Sequence, residues 1–259
     1  EDTPVTIAGD HTLVARFSAN EIKLIVNANG GTFKATEGWE LNEDTTVATK
    51  LVRYQTAYGT LPQVNARAGY KAEIMYYTQA TGGVRVTEET EMTSLNAEGV
   101  NIYVIWTADE FTVTLNANGG EPESQTYKVT YGQPYGIGIE NEDLKPTRAG
   151  YKFAGWFETK YAPNEKPTGI TSVSSSTIAN VTDNTKVLYA YWTSDTFTVT
   201  FDANGGVANK KSIEVTFNYA YNHNDILATA TRTGYEFAGW YIKDTETLVK
   251  NDTVVSTAS

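Results

Sequence analysis

From Phe111 to Leu115 apolar and polar side chains alternate, with Phe111, Val113 and Leu115 set against Thr112 and Thr114. A period of two puts the first three on one face of a strand and the threonines on the other. The run leads into Asn118-Gly119, residues that tolerate positive φ, so a tight hairpin turn is expected there. The same pattern returns as IKLIVNANGG, Ile22 to Gly31, and as FTVTFDANGG, Phe197 to Gly206. Offsets of 89 and 86 residues between the copies make the chain a tandem array.

The pattern divides the chain into a leading segment, 1–21, and three units, 22–108, 109–194 and 195–259. In the leading segment, Leu13, Ala15 and Phe17 fall where Leu188, Ala190 and Trp192 fall at the end of the second unit. Both stretches read as strands with one apolar face. Val5 to Ala8 likewise matches the region around Thr177 to Ala179. The opening is therefore expected to be the closing strand of a preceding or neighbouring unit. The third unit is expected to stop at Ser259 without such a strand. Ile102, Val104 and Trp106 are expected to form the inward face of the first unit's last strand. Thr32–Thr46, which contains Trp39, reads as a loop specific to that unit. A second strand is expected near Val47–Tyr54 in the first unit and near Thr126–Tyr131 in the second. Ile139–Leu144 suggests a helical turn or two, and Pro163, Pro167 and Gly169 a hairpin loop. Asn222–Ala230 is the best helix candidate, with Asn224 or Asp225 as its cap. The links Ser18–Glu21, Thr107–Glu110 and Thr193–Thr196 are each four residues long and lack Gly and Pro. Such links predict stiff, roughly collinear beads.

Composition narrows the classes. Hydrophobic residues at 40% and charged residues at 20% fit a globular chain. A formal charge of −11 argues against nucleic acid and against anionic membranes as partners. The absence of Cys excludes disulfides, thiolate metal sites and thiol catalysis. No apolar run approaches the ~20 residues of a membrane span. Neither a signal peptide nor an initiator Met is present, which suggests a mature or excised fragment.

Several signatures occur in order in the second and third units. A strand ending in NANGG or DANGG comes first, and VTYG (Val129–Gly132) follows in the second. Then come RAGY (Arg148–Tyr151) or RTGY (Arg232–Tyr235), and FAGW (Phe153–Trp156 and Phe237–Trp240); LYAYW (Leu188–Trp192) closes the second. This series resembles the Listeria–Bacteroides repeat, the B-repeat type of internalin-like bacterial surface proteins. The first unit departs from it, because Ala72-Glu-Ile-Met75 stands where FAGW should be, so that Met75 replaces the Trp. The resemblance implies an α+β, β-rich fold of tandem β-grasp (ubiquitin-like) units in a rod. It also implies a surface-exposed or secreted protein acting as a spacer or adhesive stalk, with no catalytic residues and no cofactor.

Candidate chemistry is sparse. His11 and His223 do not form a catalytic set, and no nucleophile elbow, P-loop or HExxH occurs. Asp202-Ala-Asn204 and Asp183-Asn184 lack the ligand run of a calcium loop and read as turns. Trp106, Trp156, Trp192 and Trp240 have apolar period-2 partners, which points to cores. Trp39, Tyr161, Tyr189 and Tyr191 are the candidates for a ligand-binding surface. The sharpest expectation concerns strand donation, with Leu13, Ala15 and Phe17 as donor and Phe197, Val199, Phe201, Phe237 and Trp240 as acceptor groove. A second copy would then add head-to-tail and propagate a fibre. The competing classes are an adhesin that binds glycan or host protein, and accessory repeats of a larger surface enzyme.

Overall fold

Strand β1 (Glu21–Asn27) buries every second side chain, and Leu24 and Val26 are fully enclosed. The computed structural model of the protein describes residues 9–166 and 168–256. Val5–Ala8 and Pro167, on which sequence expectations were placed, lie outside the described residues. The chain divides after Ala108 into two compact units.

In the first unit β1 is followed by β2 (Glu40–Leu41), β3 (Val47–Arg53), β4 (Met75–Tyr77), β5 (Arg85–Val86) and β6 (Val100–Ile105). They form one sheet in the order β2-β3-β1-β6-β4-β5, with β1 and β6 parallel at its centre. Ile102 and Val104 are fully buried, as alternation predicts. Two expectations need correction here. Tyr76, not Met75, takes the place of the FAGW tryptophan, because Tyr76 pairs with Val104 as Trp156 pairs with Ala190 in the second copy. Thr32–Thr46 is specific to this unit but is not loop throughout, because Phe33 bridges Val64, β2 joins the sheet, and Trp39 is buried.

The second unit begins with β7 (Glu110–Asn116), β8 (Ser124–Thr130), β9 (Tyr151–Phe157) and β10 (Val187–Ser194). These form a four-stranded sheet, β8-β7-β10-β9. β10 runs parallel to β7 and antiparallel to β9, so it fills the central lane between them. The turn after β7 has positive φ at Asn118 (50°) and Gly119 (89°). It belongs to a longer connection to β8 in place of a two-residue hairpin, since Asn116 pairs with Ser124.

The same unit continues, after Asp195 alone, with β11 (Thr196–Thr200), β12 (Val207–Ala208), β13 (Ser212–Thr216), β14 (Ala230–Thr231), β15 (Trp240–Tyr241) and β16 (Leu248–Val249). Asp195 pins this junction. Its N–H donates to the Gly150 carbonyl, its carbonyl accepts from Phe217 N–H, and its carboxylate meets Lys152 at 2.9 Å. Tyr151 and Phe217 pack edge to face 5.1 Å apart across it. Here the strands form three separate pairs, β11–β13, β12–β14 and β15–β16.

The described residues are β-rich and hold no α-helix; two 3-10 turns, Ile137–Glu140 and Glu142–Leu144, supply the helical content near Ile139–Leu144. The expected helix at Asn222–Ala230 is a turn followed by extended chain. Its cap candidates are engaged otherwise: Asn224 Nδ2 donates to Thr216 Oγ1, and Asp225 accepts from Lys210 Nζ and from its neighbour Ile226 N–H. Among the described residues there are three hydrophobic cores, one around each copy of the motif.

Candidate functional site

The site is best built from the second copy, where its counterpart is filled. β10 carries Leu188, Ala190 and Trp192 inward, and all three are essentially inaccessible. The Trp192 indole lies against Gly120, where a β-carbon would fall 2.6 Å from Cζ2, and its Nε1 donates to the Ala117 carbonyl at 2.9 Å. Asn118, held at positive φ, sends Nδ2 to the Ala190 carbonyl at 2.9 Å and so reads the backbone of the inserted strand. Arg148 locks the turn by donating to the Asn118 carbonyl, with its guanidinium over Tyr151. The first copy repeats each contact. Trp106 Nε1 donates to Ala28 O, Asn29 Nδ2 to Val104 O, and Arg67 to Asn29 O.

In the third copy the turn is built and the strand is not there among the described residues. Arg232 donates to the Asn204 carbonyl at 3.0 Å and covers Tyr235, as its equivalents do. Phe237 and Trp240 stand 5.2 Å apart at 64°, the same relation as Phe153 and Trp156. In the second copy a third ring, Trp192, packs 5.9 Å from Phe153; the space beside Phe237 is instead an open cleft of about 870 Å³. Phe201, Asn204, Arg232, Tyr235, Phe237 and Trp240 are among its walls.

The strands of the third copy do not join in one sheet among the described residues. Without a strand between them, β11 and β15 share no hydrogen bonds, and β11 stops two residues short of the length of β7. Tyr235 is 67% and Phe237 44% exposed, and Trp240 Nε1 donates to the Ala228 carbonyl. Of the groove candidates, Phe201 is buried, Phe197 and Val199 pack beside the small core, and Phe237 and Trp240 line the cleft.

The donor candidates are bare. Leu13 is 87% and Phe17 94% exposed, and Ala15 is exposed between them.

The proposed ligand-binding aromatics separate. Trp39 is buried, its Nε1 bonded to Thr60 O and its ring under Lys50 Nζ, so it presents no free face. Tyr191 is buried too, packed edge-on by Phe157 and Tyr161 on the face of β10 opposite Trp192. Tyr161 and Tyr189 are half-buried. Tyr191 is closed off because the loop carrying Tyr161 covers that face of the sheet. The residues that sequence reasoning missed are Asn29 and Asn118, whose amides bind the closing strand; the signal was their recurrence, with Asn204, one place before Gly in each motif.

Titration adds little chemistry. Burial pushes Tyr76 up to about 12, and its hydroxyl donates to the Pro62 carbonyl. Burial also raises Tyr58 and Tyr135 and lowers Lys50, while the Lys210 hydrogen bond holds Asp225 below the usual carboxylate range. Among the described residues no group of three or more His, Asp or Glu gathers where it could hold a metal ion, and no helix is long and apolar enough to cross a membrane.

Comparisons with known proteins agree with the geometry. A Gly-rich membrane protein of Evansella cellulosilytica is 25% identical over 90% of this chain and 24% of its own length. A second membrane protein of that organism is 27% identical over 56% of this chain and 19% of its own. Internalin H of Listeria monocytogenes is 28% identical over 50% of this chain and 23% of its own. The chain thus spans about a quarter or less of the length of these relatives. The Listeria-Bacteroides repeat domain matches residues 111–190 and 197–259, together more than half of the chain. The two matched stretches are the ones that share the Asn-Gly turn, the Arg–Tyr lock and the Phe–Trp pair, and the chain belongs to the Listeria-Bacteroides repeat family.

Proposed function

We propose that the chain is a non-enzymatic structural element of a bacterial surface stalk or fibre. Its units are tandem β-grasp-like beads, and neighbouring molecules join by strand donation. Surface placement is supported by the relatives named as membrane proteins and as an internalin. The β-grasp reading is supported by the parallel central pair of first and last strands in two successive copies. The Asp195 junction supports stiffness, since three backbone and side-chain contacts hold one linking residue.

One observation carries the donation. The lane that β10 fills in the second copy is open in the third, while a segment with the same inward spacing, Leu13-x-Ala15-x-Phe17, lies unpaired and exposed. Burying three such side chains stabilises by roughly 1.5–3 kcal/mol for each large one. That sum is comparable with the whole stability of a small domain, about 5–15 kcal/mol. The register follows from β10: Ala15 would face Trp240, and Phe17 would face Phe237. One end giving and the other receiving is a heterologous contact, which propagates. Removing residues 1–17 tests this by sedimentation velocity and electron microscopy. Fibres or concentration-dependent oligomers are expected from the intact chain and none from the truncated one. Equal assembly of both would refute donation.

A further inference from the structure

We infer that a cleft in the first copy, walled by residues 61–64, 72–76 and β5, docks an extended acidic segment of a partner protein. An aliphatic side chain of that segment enters the cleft, and its carboxylates meet Lys34 and Arg85 at the rim. The inference concerns the first unit alone and is independent of strand donation.

The cleft arises from a change in the motif. Aligned on Arg67-Ala-Gly-Tyr70 and Arg148-Ala-Gly-Tyr151, Ala72 stands where Phe153 stands. The Phe153 ring packs 5.2 Å from Trp156 and 5.9 Å from Trp192, and so fills the space beside that strand. Ala72 brings no ring, and the smaller Tyr76 replaces the Trp156 indole. What remains is an opening of about 440 Å³, with Leu61, Val64, Ala72, Ile74 and Val86 among its apolar walls. That volume lies within the usual range for ligand sites, roughly 300–1,000 Å³. Ala72 is exposed, so its β-carbon faces the opening and is not packed beneath it.

Charge at the rim selects the occupant. Lys145, Lys152, Lys186 and Lys210 each meet a carboxylate within the chain. Lys34 and Arg85 are exposed, and their side chains make no hydrogen bond or ion pair among the described residues. The cleft's one carboxylate, Glu88, is already answered by Lys50: burial lowers that amine and the nearby Glu88 charge acts against the shift. Two cations are thus left over in a chain of formal charge −11. Their complement is a pair of carboxylates beside an aliphatic group. A sugar fits less well, because the one aromatic residue in the lining, Tyr76, is buried and has spent its hydroxyl on the Pro62 carbonyl. A peptide fits better than a free acid, because β5 is the outermost strand of its sheet and is hydrogen-bonded on one side, which leaves backbone groups beside the cleft for an extended chain.

The test is fluorescence anisotropy of labelled peptides titrated with the intact chain, with decanoate as a competitor. The peptides are GSVEVESG, its basic counterpart GSVKVKSG, and GSNENESG, which keeps the carboxylates without the aliphatic groups. The first is expected to bind saturably, and about two- to 25-fold more tightly than the second, the range for two exposed ion pairs. The third is expected to bind more weakly than the first, having nothing to place in the cleft. Ala72→Phe, which restores the ring of the second copy, is expected to abolish binding of the first peptide while the far-UV circular dichroism stays unchanged. Arg85→Glu, a surface change, is expected to weaken the first peptide and strengthen the basic one. Equal binding of the acidic and basic peptides would overturn the charge selection. Binding unchanged by both substitutions would overturn the site. Displacement by decanoate with no saturable binding of any peptide would overturn the peptide occupant, and no binding of any probe would overturn the inference entirely.

Discussion

Trp192 Nε1 donates to the carbonyl of Ala117, 75 positions away in the chain, across 2.9 Å of fully buried space. That bond ties the last strand of the second copy to the turn after its first strand. It also fixes which face of β10 points inward, since a one-residue slip would carry Leu188, Ala190 and Trp192 to the other side.

Trp192→Ala should therefore open the sheet that β10 centres. The loss is expected at about 3–5 kcal/mol, the usual range for truncating a buried aromatic. Trp192→Phe should cost less, since only the indole remainder and its hydrogen bond go. Hydrogen exchange read by mass spectrometry should show lost protection in peptides covering β7 and β10. Peptides from β1 should keep theirs, because that strand belongs to a separate core.

Asn118→Gly separates the two roles of the turn asparagine. Glycine tolerates the φ of 50°, so the backbone conformation survives. The bonds from Nδ2 to Ala190 O and Tyr161 O are lost. A destabilisation of about 1–3 kcal/mol is expected for two such bonds. Denaturant melting of the variant against the parent, followed by the exchange of β10 amides, checks it.

Tyr76 makes the first copy sensitive to alkali. Desolvation raises its folded pKa to about 12, against an ordinary value of 10.0. The folded form then holds a proton that the unfolded form has released, so stability is intact below pH ~10 and declines as pH climbs toward about 12. Tyr76→Phe should start from lower stability at neutral pH, having lost the bond to Pro62, and should show a shallower decline in this window. Urea midpoints measured from pH 8 to 12 decide the slope.

Alternation was enough to place most strands. Leu24, Val26, Val113 and Leu115 repeat every second residue beside a turn that only Asn and Gly suit, and that signal is local. The lock between Arg148 and the Asn118 turn was legible for a related reason, since Arg67, Arg148 and Arg232 recur at one place in the aligned copies. What failed depended on distant partners. Met75 matched the FAGW tryptophan by position in the motif, but pairing with β6 selects Tyr76. Asn224 and Asp225 look like helix caps until Thr216 and Lys210 claim their side chains. Trp39 and Tyr191 look free until Thr60 and the loop at Tyr161 close over them.

Strand donation in register can be trapped directly, because the chain contains no Cys to confuse the result. Tyr189 pairs with Phe157 in the second copy, and their counterparts are Val14 and Tyr241, both well exposed. Paired strands bring such Cα atoms to about 4.5–5.5 Å, within disulfide reach. Under mild oxidation the Val14→Cys/Tyr241→Cys chain should give a ladder of disulfide-linked oligomers on a non-reducing gel. The same partner cysteine combined with Glu21→Cys should give none. Monomers alone, or equal ladders from both pairs, would contradict the account.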